Sequence, residues 1–429
     1  MDKEYVLAVQ YIHSLLAFGM NPGLQRISAL ISSFNEPQRS LRFIHIAGTN
    51  GKGSVTTALA SICRAAGYKT GHYVSPYVLD FRERIQVNGQ MIEKAALARL
   101  TKKVRMQSEK LAKQGVVITE FEFITAVGFL YFLEKGCDVV ILETGLGGRF
   151  DATNVIPPPL CAVITSIALD HCGVLGNTLQ QIAMEKCGIL KPGSPVVTVP
   201  DQPAEALAVI RQTALERSCP LTVPPMPEPV AADIMGTRFL WQGREYFLPL
   251  PGQHQMQNMA AVLATVDVLR EKGLAVSREA VRRGLSEVWL PGRCEVLSKE
   301  PLVLLDGGHN PAGAKALTES LPPALKGSFT AVLGMLADKD VDGCLSYIGP
   351  WCKKIITVAV PNPRSMESSA LAALAGKYCS AVTAESSLDK ALQTALFCGG
   401  PALLCGSLYL CGALRPKAVQ ILQNRQTNP

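Results

Sequence analysis

FIHIAGTNGKGSVTTALA, residues 43–60, determines how the first half of this chain folds. Its first residues are apolar and β-branched and predict a buried strand. SVTTALASICRAAG, residues 54–67, has the helical spacing of apolar and small residues and ends at a glycine. The glycine-rich segment between them therefore predicts a tight turn from a strand into a helix. In that geometry the backbone N–H groups at the start of the helix can hold phosphate oxygens.

A glycine between the lysine and the serine distinguishes this turn from the usual phosphate-binding loop. That loop reads G-x-x-x-x-G-K-[ST], whereas the order here is Gly51, Lys52, Gly53, Ser54. Lys52 would bring a mobile positive charge, and Ser54 or Thr56 would offer a hydroxyl to a magnesium ion. The alternative is a glycine-rich turn with no ligand, but glycine, lysine and serine coincide at the right strand-to-helix junction. Gly53 indicates only that the loop is not of the ordinary GTPase or kinase type.

The composition predicts a packed protein with two domains. A chain of 429 residues exceeds what one core usually serves, and 48% hydrophobic and 18% charged residues favour globular packing over disorder. The net charge of +7 includes no basic run or aromatic-interleaved patch, which argues against nucleic acid and fits small anionic substrates. We find no long uncharged apolar run and no signal-peptide cleavage pattern. These features predict a cytoplasmic protein without membrane contact.

The 13 cysteines sit mostly inside apolar stretches such as SICRAAG and ALLCGSLYLCGA. They form no CxxC pair and no Cys/His ligand spacing, so we interpret them as reduced thiols in the core of a cytosolic protein.

The alternation of short apolar runs and helical patterns predicts an α/β fold. From residue 41 to about 215 it predicts a P-loop-type, mostly parallel sheet covered by helices. A proline-rich connector is expected at 219–233, then a hairpin that turns at Gln242 and Gly243. A second alternation from about residue 302 predicts a smaller Rossmann-like α/β domain. We place the domains at residues 1–296 and 297–429.

Polar side chains follow two of the predicted buried strands in the larger domain. Glu143 ends one such strand, and Asp170 and His171 end the next. Ligands of open α/β sheets bind at that edge, where a carboxylate suits magnesium and an imidazole can ligate divalent metals. The alternatives are a local ion pair for Glu143 and a structural histidine. Lys186 follows on the next helix, where a solvated helix face is the alternative.

The second half of the chain carries a third strand-end loop, LDGGHNPAG, with Asp306 and His309. Upstream, Asn258 lies in PGQHQMQN and Arg293 in WLPGRCE. Asn258, Arg293 and Asp306 would converge on one nucleotide across an interdomain cleft, where ligands commonly bind.

Nine segments in order span about residue 40 to residue 415: HIAGTNGKGS, SPYVLDFRERI, ETGLGGRFDATN, DHCGVLGNT, IAMEKCGI, GQHQMQN, PGRCE, DGGHNP and GSLYLCGALR. As an ordered set they resemble folylpolyglutamate synthase and dihydrofolate synthase, of the Mur ligase superfamily. The GTNGKGS spelling looks bacterial, and the glycine between lysine and serine is typical of that family's loop. SPYV replaces the frequent SPHL, so Tyr77 stands where that family commonly has histidine; EKCGI and DGGHNP only exchange small residues.

The resemblance implies the site residues. ATP would bind through Asn50, Gly51, Lys52, Gly53, Ser54, Asn258, Arg293 and Asp306. Two magnesium ions would be held by Ser54, Ser75, Glu143 and His171, with carbamylated Lys186 reaching the second ion. Lys52, Lys186 and His309 would be catalytic. The pterin-bearing substrate would lie against Thr119, Glu120, Phe121, Glu122, Phe150, Asp151 and Ala152.

The resemblance also implies the reaction. ATP would drive addition of L-glutamate to folates through an acyl phosphate, and some bacterial members of the family also convert dihydropteroate to dihydrofolate. One alternative is another Mur-type amino-acid ligase, but the peptidoglycan-precursor ligases normally carry an extra amino-terminal domain, for which about forty residues are too few. The other is a catalytically inactive nucleotide-binding regulator, against which the intact Glu143, His171 and Lys186 argue. We expect a monomer.

Overall fold

An eight-stranded sheet forms the centre of the first of two units in the computed structural model, which describes residues 2–19 and 22–427. This unit comprises Met1–Pro227 and Gln257–Val288. Its strands are β1 (Phe43–Ala47), β2 (Thr70–Tyr73), β3 (Ile85–Val87), β4 (Gln90–Met91), β5 (Val139–Glu143), β6 (Cys161–Ile164), β7 (Val196–Thr198) and β8 (Leu221–Thr222).

The strand order is β4-β3-β2-β5-β1-β6-β7-β8. The pairs from β2 to β8 are parallel, and β3 and β4 extend the sheet antiparallel. Every residue of β1 and β5 is buried, as expected for strands covered on both faces. The predicted mostly parallel sheet is thereby confirmed.

The α-helices between residues 2 and 286 are α1 (Asp2–Ser14), α2 (Gln25–Ser32), α3 (Lys52–Ala65), α4 (Lys94–Ala112), α5 (Glu120–Lys135), α6 (Cys172–Leu175), α7 (Leu179–Cys187), α8 (Ala204–Glu216), α9 (Gln253–Glu271) and α10 (Arg278–Ser286). The first residue of α3 follows the turn after β1, which confirms the predicted strand, turn and helix. Helix α5 starts at a capping box of Thr119 and Glu122 and ends at Gly136, which has a left-handed conformation.

The second unit comprises Glu228–Met256 and Trp289–Pro429. Its strands are β9 (Glu228–Asp233), β10 (Gly236–Trp241), β11 (Arg244–Leu248), β12 (Glu295–Lys299), β13 (Leu302–Asp306), β14 (Phe329–Leu333), β15 (Cys352–Thr357), β16 (Val382–Ala384) and β17 (Ala402–Cys405). Its further helices are α11 (Pro311–Glu319), α12 (Val341–Ile348), α13 (Ser368–Ala375), α14 (Leu388–Leu396) and α15 (Leu408–Thr427).

Two sheets organise the second unit. The larger has the order β12-β13-β17-β14-β15-β16 and is parallel apart from its edge strand β12. The smaller is antiparallel, with the order β11-β10-β9. The hairpin at Gln242 and Gly243 is confirmed, since Trp241 pairs with Arg244. The expected connector at 219–233 is wrong for residues 221–222, which form β8, and for residues 228–233, which form the exposed edge strand β9. The α/β class is confirmed for both units, and the assignment of 1–296 and 297–429 to two ligase-type domains stays a prediction.

All the cysteines are free thiols, and all but Cys172 and Cys398 are buried. Burial raises the pKa of Cys63, for example, to about 12, which keeps the thiol protonated. Across residues 2–19 and 22–427, no helix combines the length and the apolar character that crossing a membrane requires.

Candidate active site

The turn after β1 is anchored to the neighbouring strand and leads directly into α3. The backbone N–H groups of Thr49 and Asn50 donate to the carbonyl oxygen of Ser166, at 2.9 and 3.2 Å. Ser166 follows β6, which lies beside β1 in the sheet. Two adjacent strands thus hold the loop, and the start of α3 points from the carboxyl edge of the sheet as a phosphate site requires.

Glycine is required at Gly51 by both conformation and space. Its φ is +87°, in the left-handed region, and it forms the N-cap of α3. A Cβ atom at this position would lie 2.2 Å from Oδ1 of Asn258. Asn258, from α9, therefore packs directly against the loop. These two predicted nucleotide-binding residues lie 207 positions apart in the chain and are brought together in the first unit.

Gly53 lies in the first turn of α3, so it moves the following hydroxyl one residue along the helix. Of the two hydroxyl candidates, Thr56 is fully buried, and its Oγ1 donates to the carbonyl oxygen of Lys52 at 2.8 Å. Ser54, which is 4% exposed, is left as the candidate nearest the start of the helix. The hydroxyl hydrogen of Thr56 is thus engaged within the helix, and the assignment of magnesium to Ser54 stays a prediction.

Lys52 and Lys186, both predicted to be catalytic, meet at one backbone oxygen. Nζ of Lys52 donates to the carbonyl oxygens of Gly48 and Thr49, at 3.0 and 3.2 Å. Nζ of Lys186 donates to the same Gly48 oxygen at 2.8 Å. Lys186 comes from α7, so the side chain reaches the loop from a different helix. The solvated helix face considered as an alternative for Lys186 is excluded, because this residue is only 4% exposed.

Burial and the neighbouring charge change the acidity of Lys186. Desolvation is the largest cause and the positive charge of Lys52 the second, and together they lower the pKa of Lys186 to about 7. Asp170 and Asp151 act in the opposite direction. A large fraction of Lys186 is therefore a neutral, nucleophilic amine near neutral pH.

The predicted metal ligands lie at or beyond the carboxyl ends of four strands that are neighbours in the sheet. Ser75 follows β2, Glu143 ends β5, Ser54 follows β1, and His171 follows β6; the order of these strands is β2-β5-β1-β6. Their carboxyl ends are in register, since Tyr73 pairs with Leu142, Ile46 with Glu143 and Ala47 with Ile164. The four residues therefore share one edge of the sheet.

The chemistry of this donor set suits magnesium. Two hydroxyls and a carboxylate supply the oxygen atoms that magnesium prefers, and only the imidazole of His171 supplies nitrogen. Glu143 is 4% exposed, and His171 adopts a left-handed conformation with φ +52° at the start of α6. The amide of His171 donates to Oδ1 of Asp170 at 2.8 Å. Within the described residues, no three His, Cys, Asp or Glu side chains group as a metal site. The described residues therefore contain no cluster of the kind that holds a structural zinc ion.

The predicted substrate segment at Thr119–Glu122 has a structural role at the start of α5. Oε2 of Glu122 accepts from the amide and the hydroxyl of Thr119, at 2.8 and 2.9 Å. Glu122 also forms an ion pair with Arg26 at 2.9 Å, and Glu120 pairs with Arg84 at 3.4 Å. Sequence reasoning missed Arg26 and Arg84. The T-x-x-E pattern of a capping box was a readable signal for the first contact, but nothing in the sequence indicated either arginine.

The second substrate segment, Phe150–Ala152, is held by the carboxylate of Asp151. Oδ2 accepts from the amides of Gly145 and Leu146, at 2.9 and 3.0 Å. Oδ1 accepts from the amide and hydroxyl of Thr153, at 2.9 and 2.5 Å. A carboxylate has about four acceptor sites, so these donors saturate it, and any contact of Asp151 with a substrate would come from its backbone. Burial raises the pKa of Asp151, and these hydrogen bonds oppose that effect. Ala152 is buried, whereas Phe150 is 44% exposed.

Arg293, Asp306 and His309 belong to the second unit. Oδ2 of Asp306 accepts from the amide of Cys294 at 2.8 Å, and Oδ1 accepts from the amide of Gly308 at 2.7 Å. Burial raises the pKa of Asp306, while the charge of Arg293 and these amides lower it. His309 precedes α11, which opens at Pro311 and is capped by Asn310, whose side chain accepts from the amide of Gly313. The expected convergence of Asn258, Arg293 and Asp306 on one nucleotide stays a prediction.

Comparison with known proteins gives matches along most of the chain. The model of the Mur ligase middle domain matches residues 46–266, and that of the Mur ligase glutamate ligase domain matches residues 292–403. The folylpolyglutamate synthase of Lacticaseibacillus casei is 35% identical over 433 residues, which cover 96% of this chain and 98% of that protein.

Two further matches also cover most of this chain and most of the matched protein. The dihydrofolate synthase/folylpolyglutamate synthase of Bacillus subtilis is 38% identical over 381 residues, covering 85% of this chain and 87% of that protein. The crystal structure of Mycobacterium tuberculosis folylpolyglutamate synthase complexed with ADP and AMPPCP has a TM-score of 0.87 and 30% identity, and it covers 96% of this chain and 99% of that chain.

Proposed function

This chain belongs to the Mur ligase superfamily, in the branch of folylpolyglutamate and dihydrofolate synthases, and on that premise we propose that it adds L-glutamate to folates at the expense of ATP. One observation carries the proposal. Lys52 and Lys186 meet at the Gly48 carbonyl oxygen, on the sheet edge that also carries Glu143 and His171. A charge-rich edge of this kind suits transfer of a phosphoryl group.

The reaction needs activation of a carboxylate. A carboxylate resists attack by an amine, because its charge repels the nucleophile and its oxygen is a poor leaving group. Transfer of the γ-phosphoryl group of ATP to the glutamate γ-carboxylate of a folate gives an acyl phosphate and ADP. The amine of L-glutamate then attacks the carbonyl carbon, the C–O bond to phosphate breaks, and inorganic phosphate leaves. The products are the elongated folate, ADP and phosphate.

The protein's part in the first step is to position and neutralise the triphosphate. The loop residues Asn50, Gly51, Lys52, Gly53 and Ser54 would bind the phosphates through backbone N–H groups and the Lys52 ammonium. Nζ of Lys52 would then exchange its bonds to the Gly48 and Thr49 oxygens for phosphate oxygens. Asn258, Arg293 and Asp306 would be further contacts of the nucleotide, and His309 would act on the reacting groups.

Ser54, Ser75, Glu143 and His171 would hold magnesium, whose charge would neutralise part of the phosphate charge. We propose that the neutral Lys186 amine attacks CO2: the N–C bond forms as one C=O π bond opens, and the nitrogen releases one proton, which gives a carbamate. This group would be able to hold a second magnesium ion. The neutral amine that this requires is supported by a pKa of about 7. The carbamate would also place a negative charge beside Lys52, where the unmodified amine is largely neutral.

The folate would lie against Thr119–Glu122 and Phe150–Ala152. In the first segment the caps and ion pairs fix the backbone, and in the second the exposed Phe150 ring offers a surface for a planar pterin. The same chemistry would join dihydropteroate to glutamate, as the name of the Bacillus subtilis relative states for that protein. We further propose that the enzyme acts as a monomer in the cytoplasm.

Phosphate release tests the proposal. Purified protein is supplied with ATP, magnesium and L-glutamate, together with either tetrahydrofolate or dihydropteroate. The released phosphate is measured, and the masses of the products are determined by mass spectrometry. We expect phosphate release that requires both acceptor and glutamate, and a product heavier by one glutamyl residue. Release with other amino acids but not glutamate would indicate another Mur-type ligase. ATP binding without turnover under all conditions would indicate an inactive regulator.

A further inference from the structure

The segment Trp289–Glu295 carries Arg293, and one face of helix α15 lies against it. A Cβ atom on Gly292 would lie 3.3 Å from Cβ of Cys411 and 3.5 Å from Cδ2 of Leu408. Gly292 has φ +67°, so it also needs glycine's freedom. The backbone of residues 289–295, called the linker below, and α15 are therefore in direct contact within the second unit.

Arg415 lies one helical turn beyond Cys411 and joins two points of the same segment. Nε of Arg415 donates to Oε1 and Oε2 of Glu295, at 2.9 and 3.0 Å, and Nη2 donates to Oε1 at 2.7 Å. The guanidinium also lies over the Trp289 ring, 5.3 Å from its centroid. The side chains of Arg415 and Glu295 are 21% and 13% exposed, so the pair is largely shielded from water. Such a fork fixes direction as well as distance.

The peptide groups on both sides of Arg293 are held by carboxylates. The amide of Gly292 donates to Oε2 of Glu295 at 3.1 Å, and its carbonyl accepts from the amide of Gly307 at 2.8 Å. The amide of Cys294 donates to Oδ2 of Asp306 at 2.8 Å. Arg293 thus stands between two fixed amides, and Arg415 orients the carboxylate that holds the first.

We propose that Arg415 is a positioning residue for Arg293: by holding Glu295 on the Gly292 amide and lying over the Trp289 ring, it sets the direction in which Arg293 meets ATP. This inference rests on the proposed function. Arg415 does not touch the nucleotide in this account; its effect passes through Glu295 and the linker backbone. A fork of three hydrogen bonds is what such a task needs, since a single ammonium group would hold the carboxylate's position but not its orientation.

The test combines kinetics with a double-mutant cycle. Arg415→Ala should lower kcat/KM for ATP by about 10- to 100-fold, because small misplacement of a positioning group has effects of this size. KM for glutamate and for the folate should stay within about 2-fold. Arg415→Lys should recover only part of the loss. On an Arg293→Ala background, Arg415→Ala should change kcat/KM for ATP by less than about 2-fold, since the residue through which it acts is gone.

A control on the same helix separates positioning from stability. Arg425 stacks on Phe397 at 3.7 Å and donates to the Leu396 carbonyl at 3.0 Å. Arg425→Ala removes a similar side chain without touching the linker and should leave kcat/KM for ATP within about 2-fold of wild type. Hydrogen exchange in the nucleotide-free protein gives a readout besides activity. Arg415→Ala and Glu295→Gln should both speed exchange of the Gly292 amide.

Equal losses from Arg415→Ala on the wild-type and Arg293→Ala backgrounds would overturn the proposal. Faster exchange at Gly292 with unchanged ATP kinetics would overturn it too, since the contact would then serve stability alone. If Arg293→Ala itself leaves KM for ATP unchanged, Arg293 does not contact ATP as proposed, and this inference is then also wrong. The dependence of phosphate release on glutamate and folate would still stand, so the two failures are distinguishable.

Discussion

Carbamylation of Lys186 gives the most quantitative prediction. Burial and Lys52 lower the pKa of Lys186 from 10.5 to about 7. At pH 7.5 a group with this pKa is about three-quarters neutral, whereas an ordinary lysine is neutral in about one molecule in a thousand. A shift of this size increases the fraction of reactive amine by more than about 100-fold, before any metal stabilises the product. We therefore expect the enzyme to lose activity in CO2-depleted buffer and to regain it when bicarbonate is added.

The sign of the pH dependence follows from the same shift. A lowered pKa leaves the amine neutral above about pH 7, so carbamate formation should rise through pH 6 to 8 and then level off. Carbon-13 NMR with labelled bicarbonate should show one protein carbamate, and mass measurement at neutral pH should show the mass of one added CO2.

Lys191 provides the matched control for this experiment. Burial also lowers its pKa, and its Nζ donates to the Asn154 carbonyl at 2.8 Å, away from the Gly48 oxygen. Lys186→Met should abolish the carbamate signal, and Lys191→Met should retain it. Full activity in CO2-depleted buffer, with an unmodified Lys186 amine, would refute the reasoning.

Three further predictions concern the loop and the core. Lys52→Ala should lower turnover by about 100- to 1000-fold with an unchanged circular dichroism spectrum, because one electrostatic contact to the transferred phosphoryl group is lost; near-normal ligase rates would contradict its assignment. Gly51→Ala places a Cβ atom 2.2 Å from Asn258 Oδ1 at φ +87° and should weaken ATP binding measured by calorimetry. Gly67→Ala, at φ +92° with open space around it, should not, and equal binding by both variants would refute the argument. Burial lowers the pKa of His45 to about 3, so between pH 6.5 and 3 this imidazole is protonated in the unfolded chain but neutral in the folded one. The free energy of unfolding therefore falls as the pH falls, by about 1.4 kcal/mol per pH unit from this group. Urea titrations should show that the free energy of unfolding of His45→Gln falls less steeply with pH over that range than that of the wild type. The same dependence on pH in both proteins would contradict the lowered pKa of His45.

Much of the first unit could be predicted, because its signals are local. The turn after β1 has its glycines, lysine and serine within seven residues, and the buried strands β1 and β5 are continuous apolar runs. Glu143 and His171 follow such runs, and parallel strands end at one edge. Strand β9 was missed because its residues are all exposed and include a proline, so it has neither an apolar run nor an alternating pattern.

The contacts of the candidate site depend on packing between distant segments. No spacing rule indicates that Lys186 Nζ reaches the Gly48 carbonyl, or that Asn258 packs on Gly51. The saturation of Asp151 by its own loop is equally invisible, since the sequence shows a carboxylate but not its four donors. Sequence patterns name candidate residues, and only the fold separates those that build the loops from those left to meet a ligand.

Oxygen transfer from the folate to phosphate tests the central claim most directly. A folate whose γ-carboxylate carries oxygen-18 in both positions is converted with ATP and L-glutamate, and the released phosphate is analysed by mass spectrometry. Activation as an acyl phosphate predicts one oxygen-18 atom in each phosphate. The bond that breaks joins the carbonyl carbon to the bridging oxygen, so this carboxylate oxygen leaves with the phosphate. Phosphate free of oxygen-18, alongside normal formation of the glutamyl product, would contradict the account.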